Sequence, residues 1–450
     1  MKKTAAPLQN KIVMSGETKI VHHEMYANGI DYLSLMFDIK DMKPEELPYL
    51  GILKAVLGYV DTENYSYAEL ANEINIHTGG MGSSIGIYPN VKETDKLAFM
   101  YEIKTKVLAE KLADSMRLIE EILLTSKLSD EKRLYEILGE LKSRLQAGLS
   151  ASGHLTASTR AMSYFSRTSY YQDATSGIAC YRVIADLESN FEAKKLELME
   201  RLERLVHHIF TADRLMVSIT CEKNDFDAVE EAVNKLKTKL YAPDAKGAER
   251  QLPQIELKRR NEGFMDASQV QYVARAGNYV SHGYEYHGAL KILKVIMGYD
   301  YLWTNIRVKG GAYGCMNGYM RNGDTYFVSY RDPNLTATYE VYEHITDYVE
   351  AFEADERDMT KYIIGTISDM DVPLNPSAKG ARAMTAYLQE LTYEDIQKER
   401  EQIINATAED IRALRDLLAS LLLDEAICVI GNEEVLQENK EIFLHLENLC

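Results

Sequence analysis

The chain has 450 residues, 46% of them hydrophobic and 27% charged, which is enough for two or three globular domains with sizeable cores. A formal net charge of −18 argues against nucleic acid or an anionic membrane as a partner, and no apolar run reaches the roughly 18 residues of a membrane-spanning helix. Five scattered cysteines without a CxxC pair and the absence of an apolar leader lead us to expect a cytoplasmic protein.

The first half predicts a strand, a series of helices and a closing strand with its helix. Polar and apolar residues alternate over 32–38, as in a half-buried strand, and apolar residues recur at helical spacing over 50–60. A glycine run follows at 79–82, and Ser129 stands where the N-cap of a long helix belongs. Residues 214–236 combine a β-branched run, a polar turn and an amphipathic helix, which predicts a strand followed by a helix.

The second half repeats this order after a proline- and glycine-containing segment, 241–256, which predicts a linker. A strand is predicted over 270–276 and a helix over 290–297. A hairpin over 319–326 is expected to turn at Asn322-Gly323 with both residues at positive φ. Thr392, with Asp395 three residues later, has the spacing of a helix N-terminal capping box.

Three anchors in the same order indicate an internal duplication. LKAVLGY at 53–59 matches LKVIMGY at 293–299, the glycine run at 79–82 matches that at 310–314, and residues 214–236 match 425–446. We therefore predict an α+β protein of two homologous domains, 1–240 and 257–450, joined by the linker 241–256. Each domain is expected to contain a mostly antiparallel sheet with helices on one face.

The second glycine run, within RVKGGAYGCMNG (307–318), is the strongest candidate for a functional segment. It fits neither a phosphate-binding GxxxxGK[ST] loop nor a dinucleotide-binding GxGxxG turn, because a hairpin follows it. Arg307 and Tyr313 flank the glycines, and a bend there would bring a guanidinium and a phenol together. Such a pair can grip a peptide carbonyl or stabilise an oxyanion, but it contains neither a nucleophile nor a base.

The segments NIRVKGGAYG and YFVSYRDPN resemble the C-terminal half of the pitrilysin/insulinase metallopeptidases, in the presequence protease and falcilysin branch. TENYSYAELANEINIHTGGMGSS resembles the third domain of that branch, and the match covers nearly all 450 residues. The resemblance implies four homologous α+β domains whose two halves close like a clamshell around a chamber for unfolded peptides. It also implies that Tyr313 polarises the scissile carbonyl and Arg307 positions the peptide backbone, and we assign Gly310, Gly311 and Ala312 to substrate binding.

In this family the first domain carries an HxxEH motif and a distal glutamate, which hold zinc, and the motif glutamate is the general base. None of the ten histidines here fits HxxEH; the nearest miss is His282-Gly-Tyr-Glu285-Tyr286, with His287 one residue too late. We therefore expect this chain to bind no metal, with zinc bound by a missing N-terminal half. The net charge suggests an acidic inner wall that attracts basic peptides.

The expected function is that of the substrate-binding C-terminal half of a zinc metalloendopeptidase that degrades unstructured peptides, inactive on its own. The expected partners are unfolded peptide and the zinc-bearing half, in the same polypeptide or in a separate subunit. The alternative is a non-catalytic subunit or scaffold, which would have no need of a substrate clamp such as Arg307 and Tyr313. A hydrolase that uses Cys315 as nucleophile is disfavoured, because no histidine lies near it in sequence.

Overall fold

The architecture was obtained as a computed structural model, which describes residues 3–243 and 250–450. Residues 244–249, inside the predicted linker, lie outside the described residues. Two six-stranded sheets form the frame of the protein. The strands of the first sheet are β1 (Lys11–Ser15), β2 (Thr18–Glu24), β3 (Ile30–Asp38), β4 (Met81–Pro89), β5 (Leu97–Leu108) and β6 (Leu215–Cys221). The strands of the second are β7 (Glu262–Asp266), β8 (Tyr272–Asn278), β9 (Gly314–Tyr319), β10 (Asp324–Tyr330), β11 (Ala426–Asn432) and β12 (His445–Asn448).

Helices fill the long connections between the strands. Those before the linker are α1 (Leu47–Val56), α2 (Tyr67–His77), α3 (Leu112–Thr125), α4 (Glu131–Ala151), α5 (Gly153–Met162), α6 (Arg167–Ser176), α7 (Ile178–Ser189), α8 (Phe191–Ile209) and α9 (Phe226–Lys237). Those after it are α10 (Ala289–Ile296), α11 (Thr336–Glu343), α12 (Ile345–Glu350), α13 (Glu356–Met370), α14 (Pro376–Leu388), α15 (Tyr393–Ile404), α16 (Ala408–Arg412), α17 (Arg415–Leu422) and α18 (Glu433–Glu438). Short 3₁₀ turns lie at Pro44–Glu46, Ala109–Lys111, Ala212–Arg214, Lys223–Asp225, Val280–His282 and Lys440–Ile442. Among the helices described, none combines the length and the apolar character needed to cross a bilayer.

Five strands of each sheet share one topology, while the remaining edge strands differ, because β1 pairs antiparallel with β2 and β12 pairs parallel with β7. The first has the order β1-β2-β6-β3-β5-β4 and the second β12-β7-β11-β8-β10-β9, so β2, β6, β3, β5 and β4 correspond to β7, β11, β8, β10 and β9. In both, the pairing of the second and third strands of the order is parallel and the three pairings that follow are antiparallel. The mostly antiparallel α+β architecture with an internal duplication is thereby confirmed, whereas the exact domain boundaries stay a prediction.

One face of each sheet carries the main hydrophobic core. In the first sheet, Leu35, Phe37, Phe99 and Ile219 point into a cluster formed with α1, α3 and α8; in the second, Val273, Phe327 and Val429 pack against α10, α12 and α17. Successive side chains of a strand point to opposite faces of the sheet, so the apolar residues at every second position form one apolar face. The helices cover that face.

Each sheet also receives one helix from the other half on its opposite face. Helix α5 packs on β8, β10 and β11, and α14 packs on β2 and β6. We call α5 and α14 the crossing helices. The close approach of α14 depends on Gly380, because a Cβ atom there would lie 1.8 Å from Thr220 Oγ1. The crossing helices join the two halves into one structure.

Some local expectations require correction. The hairpin between β9 and β10 turns over residues 320–323, and only Gly323 has positive φ (94°), so Asn322 is not left-handed as the two-residue turn would require. The N-cap of α4 is Asp130, whose side chain accepts from the N–H of Arg133, rather than Ser129. Thr392 caps α15 in a capping box with Asp395, as predicted.

Candidate functional site

The candidate site lies at the end of a helix that changes its winding. Helix α10 continues as π-helical turns over Met297–Tyr301 and Trp303–Lys309. π-Helical turns are rare and occur frequently at functional sites. Arg307 therefore lies in a helical segment that runs up to the glycines.

The bend at the glycines is a helix C-cap. Gly311 adopts a left-handed conformation with φ of 81°, and its N–H donates to the carbonyl of Arg307 at 2.9 Å. The N–H of Ala312 donates to the carbonyl of Ile306 at 3.1 Å. Gly310 stays right-handed, but a Cβ there would lie 2.5 Å from the Ile306 carbonyl oxygen. The two glycines together let the chain reverse from the helix into β9.

This reversal brings Arg307 and Tyr313 into contact. The Arg307 guanidinium donates through Nη1 to the Tyr313 carbonyl at 2.8 Å, and its Cζ lies 5.5 Å from the centroid of the Tyr313 ring. The same Cζ lies 4.2 Å from the centroid of the Trp303 ring. Cation–π contacts of this length hold a guanidinium in place while leaving its remaining N–H donors available. We call Trp303, Arg307 and Tyr313 the clamp.

The clamp is open to solvent. The side chain of Tyr313 is 65% exposed and that of Trp303 is 39% exposed, while Tyr313 also packs edge-on against Tyr330 at 5.8 Å. Within residues 3–243 and 250–450, no hydrogen bond satisfies the Tyr313 hydroxyl. A neutral phenol donor and a cation with unused donors therefore stand side by side on an accessible surface, and their roles toward a substrate stay a prediction.

The YRDPN segment holds the glycine cap in place. Asn334 donates from Nδ2 to the Gly310 carbonyl at 2.6 Å, and the buried Asp332 carboxylate accepts from the Thr338 hydroxyl at 2.6 Å. Burial raises the pKa of Asp332 above its ordinary value. Neither Asp332 nor Asn334 is the N-cap of α11, which is Leu335 and makes no side-chain cap. Trp303 was not predicted from the sequence, because its place one turn before Arg307 follows only from the helical winding of Trp303–Lys309.

Gly310, Gly311 and Ala312, the residues assigned to substrate binding, already use their backbone N–H groups in the helix C-cap. The N–H groups of Gly310, Gly311 and Ala312 all donate to carbonyls of the preceding helix, and the side chain of Ala312 is buried. Their role as substrate contacts stays a prediction, and it would have to depend on carbonyl groups.

Cys315 is poorly suited to be a nucleophile. It is half-buried in β9, and burial raises the pKa of its thiol to about 11, so the reactive thiolate is scarce at neutral pH. This agrees with the low weight that the sequence gave to a cysteine hydrolase.

The donor groups of the described residues do not fit a zinc site. Across the described residues, no group of three or more His, Cys, Asp or Glu side chains is arranged to hold a metal ion. In the nearest sequence miss, His282 pairs with Asp424 at 2.8 Å, and His287 Nδ1 accepts from the N–H of Ala289 at 3.1 Å. The near-miss motif is therefore part of the local structure, with both histidines held by neighbouring groups.

Comparison with known sequences agrees with the two-part architecture. The sequence matches the family of domains associated with subfamily C of the M16 peptidases over residues 1–187 and the PreP C-terminal domain over residues 261–433. It is 38% identical over 446 residues to "Protein HypA" of Clostridium perfringens, covering 99% of this chain and 45% of that protein. It is 27% identical over 429 residues to presequence protease 1, chloroplastic/mitochondrial, of Arabidopsis thaliana, covering 94% of this chain and 39% of that protein. The chain thus spans less than half the length of these curated relatives.

Solved structures share the fold. A conserved protein from Enterococcus faecalis V583 superposes with a TM-score of 0.65 at 14% identity, covering 94% of this chain and 99% of that one. A peptidase M16 inactive domain from Pseudomonas fluorescens superposes with a TM-score of 0.64 at 13% identity, covering 94% of this chain and 98% of that one. At such low identity these neighbours establish the arrangement of the two sheets and nothing about the clamp.

Proposed function

Given that this chain belongs to the M16 peptidases, as the counterpart of the C-terminal half of presequence proteases, we propose that it is the substrate-binding half of a zinc metalloendopeptidase. In this proposal the zinc and the general base belong to the N-terminal half, in the same polypeptide or in a separate subunit. The substrate is an unstructured peptide in a chamber between the halves, and the location is the cytoplasm, supported by the five free, scattered cysteines.

The observation that carries the proposal is the clamp. Arg307 contacts the rings of both Trp303 and Tyr313 and gives only one of its five donors, through Nη1, to a described protein atom. The remaining donors can bind carbonyl oxygens of an extended peptide. The hydroxyl of Tyr313 can donate to the carbonyl oxygen that becomes an oxyanion during attack, which is the interaction that lowers a hydrolytic barrier most directly.

These features also favour a substrate-binding half over a scaffold. A scaffold has no use for a half-buried guanidinium with unused donors, or for an exposed phenol whose hydroxyl has no hydrogen-bond partner among the described residues. The glycine cap, held by Asn334, fixes the backbone between Arg307 and Tyr313, so the two groups are positioned before a peptide arrives. Preorganised donors of this kind increase both affinity and rate.

Peptide binding can be measured on the chain itself, because Trp303 is its single tryptophan. Titration with an unstructured peptide should change the intrinsic fluorescence of wild-type protein, and Arg307→Ala should weaken the apparent affinity. A matched control is Arg204→Ala, which changes the net charge equally on the exposed side of α8. No fluorescence change at any peptide concentration, or equal effects of the two variants, would count against a peptide clamp.

Turnover is the second test. The chain alone should not cleave a fluorogenic peptide, and adding the zinc-bearing half should produce cleavage. In that assembly Tyr313→Phe should lower kcat by about 10² to 10³, the usual cost of losing one oxyanion donor. The matched control is Tyr59→Phe, at a tyrosine that is 60% exposed in the other half of the chain. Full activity of Tyr313→Phe would remove this hydroxyl from the mechanism, and a persistently inactive assembly would favour the scaffold alternative.

A further inference from the structure

The face of the first sheet that receives α14 contains a cavity of about 540 Å³. Its floor is formed by β3, β4, β5 and β6, and its roof by Ser377, Ala381 and Thr385 of α14. The clamp lies on the second sheet, so this cavity is a separate feature. A cavity of this size is large enough for a few residues of a peptide.

The duplication shows that the polar floor of this cavity is not what packing requires. Ser34 in the first sheet lies between Lys104 and Ser218 of the neighbouring strands. The corresponding row of the second sheet consists of Ala274 between Val328 and Cys428. That second row is buried under α5 in an apolar cluster. Equivalent positions of one fold therefore carry apolar side chains where α5 packs directly on them and polar side chains where the cavity lies between the sheet and α14.

The next row shows the same difference. Glu102 pairs with Met36 in the first sheet, and Tyr326 pairs with the equivalent residue, Ala276, in the second. Glu102 is fully buried, and burying a carboxylate is costly unless it is paired and hydrogen-bonded. The first sheet thus keeps a carboxylate at position 102 despite a desolvation cost that an apolar side chain would have avoided.

Glu102 is held in a network that directs a lysine to the cavity. Its carboxylate accepts hydrogen bonds from the Tyr88 hydroxyl and, at 3.1 Å, from the Ser84 hydroxyl, and it forms an ion pair with Lys104. The side chain of Lys104 is 56% exposed. Burial, reinforced by the Glu102 charge, strongly raises the pKa of Tyr88, so its hydroxyl remains a donor. The carboxylate thus fixes one ammonium group at the cavity wall.

Lys106 adds a second cation. It follows Lys104 by two residues on β5, so both side chains point to the same face of the sheet, and both line the cavity. Within the described part of the chain, Lys106 forms no ion pair. Two ammonium groups and one buried carboxylate leave one uncompensated positive charge in a protein whose net charge is −18. Ser34 contributes a buried hydroxyl oxygen that has no hydrogen-bond partner in the structure.

We propose that this cavity is a second peptide subsite, which binds a carboxylate of the substrate through Lys104 and Lys106. The inference rests on the proposed peptide-binding function and adds a specificity to it. The carboxylate is either the C-terminus of the peptide or an acidic side chain. The acidic chamber wall expected from the net charge would then have a cationic patch, at which one part of the peptide is anchored.

Anisotropy of fluorescently labelled, unstructured peptides tests the subsite on the full chain. Three peptides of one sequence separate the two sources of the carboxylate. The first has a free C-terminus and no acidic side chain, the second is the same peptide amidated, and the third is amidated but carries one internal glutamate. The variants are Lys106→Gln, which leaves the Glu102 network intact, and Lys104→Gln with Lys106→Gln. Lys235→Gln, at an exposed lysine of α9 on the opposite side of the sheet, is the control for net charge.

We expect Lys106→Gln to raise the Kd of at least one carboxylate-bearing peptide about tenfold, as for the loss of one charge-assisted hydrogen bond. The Kd of the amidated peptide without an acidic side chain, which has no carboxylate, should not change. Added salt should reduce this difference, because the subsite is partly open to solvent. Equal effects of Lys106→Gln and Lys235→Gln on all three peptides would overturn the subsite.

The outcome also separates this inference from the proposed function. If Arg307→Ala weakens the binding of all three peptides while the lysine variants have no effect, the result supports the clamp and contradicts the carboxylate subsite. If the wild-type chain binds none of the peptides, both proposals fail.

Discussion

Asp31 gives the structure a strong and testable dependence on pH. It lies on β3 and is fully buried. Its neighbour Tyr32 pairs with Thr220 of β6, and the side chain of Asp31 points to the opposite, core face of the sheet. Neither carboxylate oxygen has a hydrogen-bond partner in the structure. Burial first, and then the charges of Asp225 and Glu222, raise the pKa of Asp31 from 3.8 to about 7. We predict that Asp31→Asn stabilises the protein at alkaline pH.

The sign follows from the direction of the pKa shift. The folded state binds the Asp31 proton more tightly than the unfolded state does, so folding is favoured while the group is protonated and loses stability as pH rises from about 4 through about 7. At 1.36 kcal/mol for each pKa unit, the full difference amounts to about 4 kcal/mol above pH 7. Between about pH 5 and about pH 9, the free energy of unfolding of the wild-type protein should fall by about 3 kcal/mol relative to that of Asp31→Asn.

Urea unfolding followed by circular dichroism at a series of pH values measures this difference. The matched control is Asp227→Asn, which removes an exposed carboxylate from α9. The free energy of unfolding of Asp31→Asn should exceed that of wild type by an amount that grows with pH, whereas the control should follow the wild-type curve. Parallel curves for wild type and Asp31→Asn across this range would show that the carboxylate is not buried in its charged form, and the reasoning would be wrong.

Substitutions at three further sites test other parts of the structure by the same urea assay. Arg160→Leu should lower the free energy of unfolding by about 3 to 5 kcal/mol, because it leaves two buried carboxylates without their partner. One of them is Glu262 of the second half, which Arg160 contacts at 2.6 Å. No measurable loss of stability would refute that link between the halves. Gly380→Ala should cost about 1 to 3 kcal/mol by pushing α14 away from Thr220, and Thr220→Ala should restore part of the loss; no rescue would contradict the contact. Thr392→Ala should cost about 1 kcal/mol and Thr392→Ser much less, and equal losses would show that the hydroxyl cap of α15 contributes nothing.

Much of the candidate site could be predicted from residue types and spacing. Glycine is the residue that permits a left-handed cap, so the run at 310–311 predicted a reversal of the chain, and the reversal brings Arg307 to Tyr313. The helical winding up to Lys309 and the stacking of Trp303 could not be predicted, because π-helical turns have no clear sequence pattern and depend on how α10 packs. The role of Asn334 likewise depends on a contact over 24 residues, which spacing does not reveal.

The duplication and the α+β class were determined by the sequence alone, because repeated anchors and the periodicity of apolar residues are properties of the chain before it folds. The cavity with Lys104 and Lys106 was decided only by the tertiary structure. Alternation along β5 shows that the two lysines share a face, but it does not show that α14 arrives from the other half of the chain to form a roof over that face. Contacts between segments hundreds of residues apart depend on the complete packing of both sheets, and local sequence patterns carry no record of them.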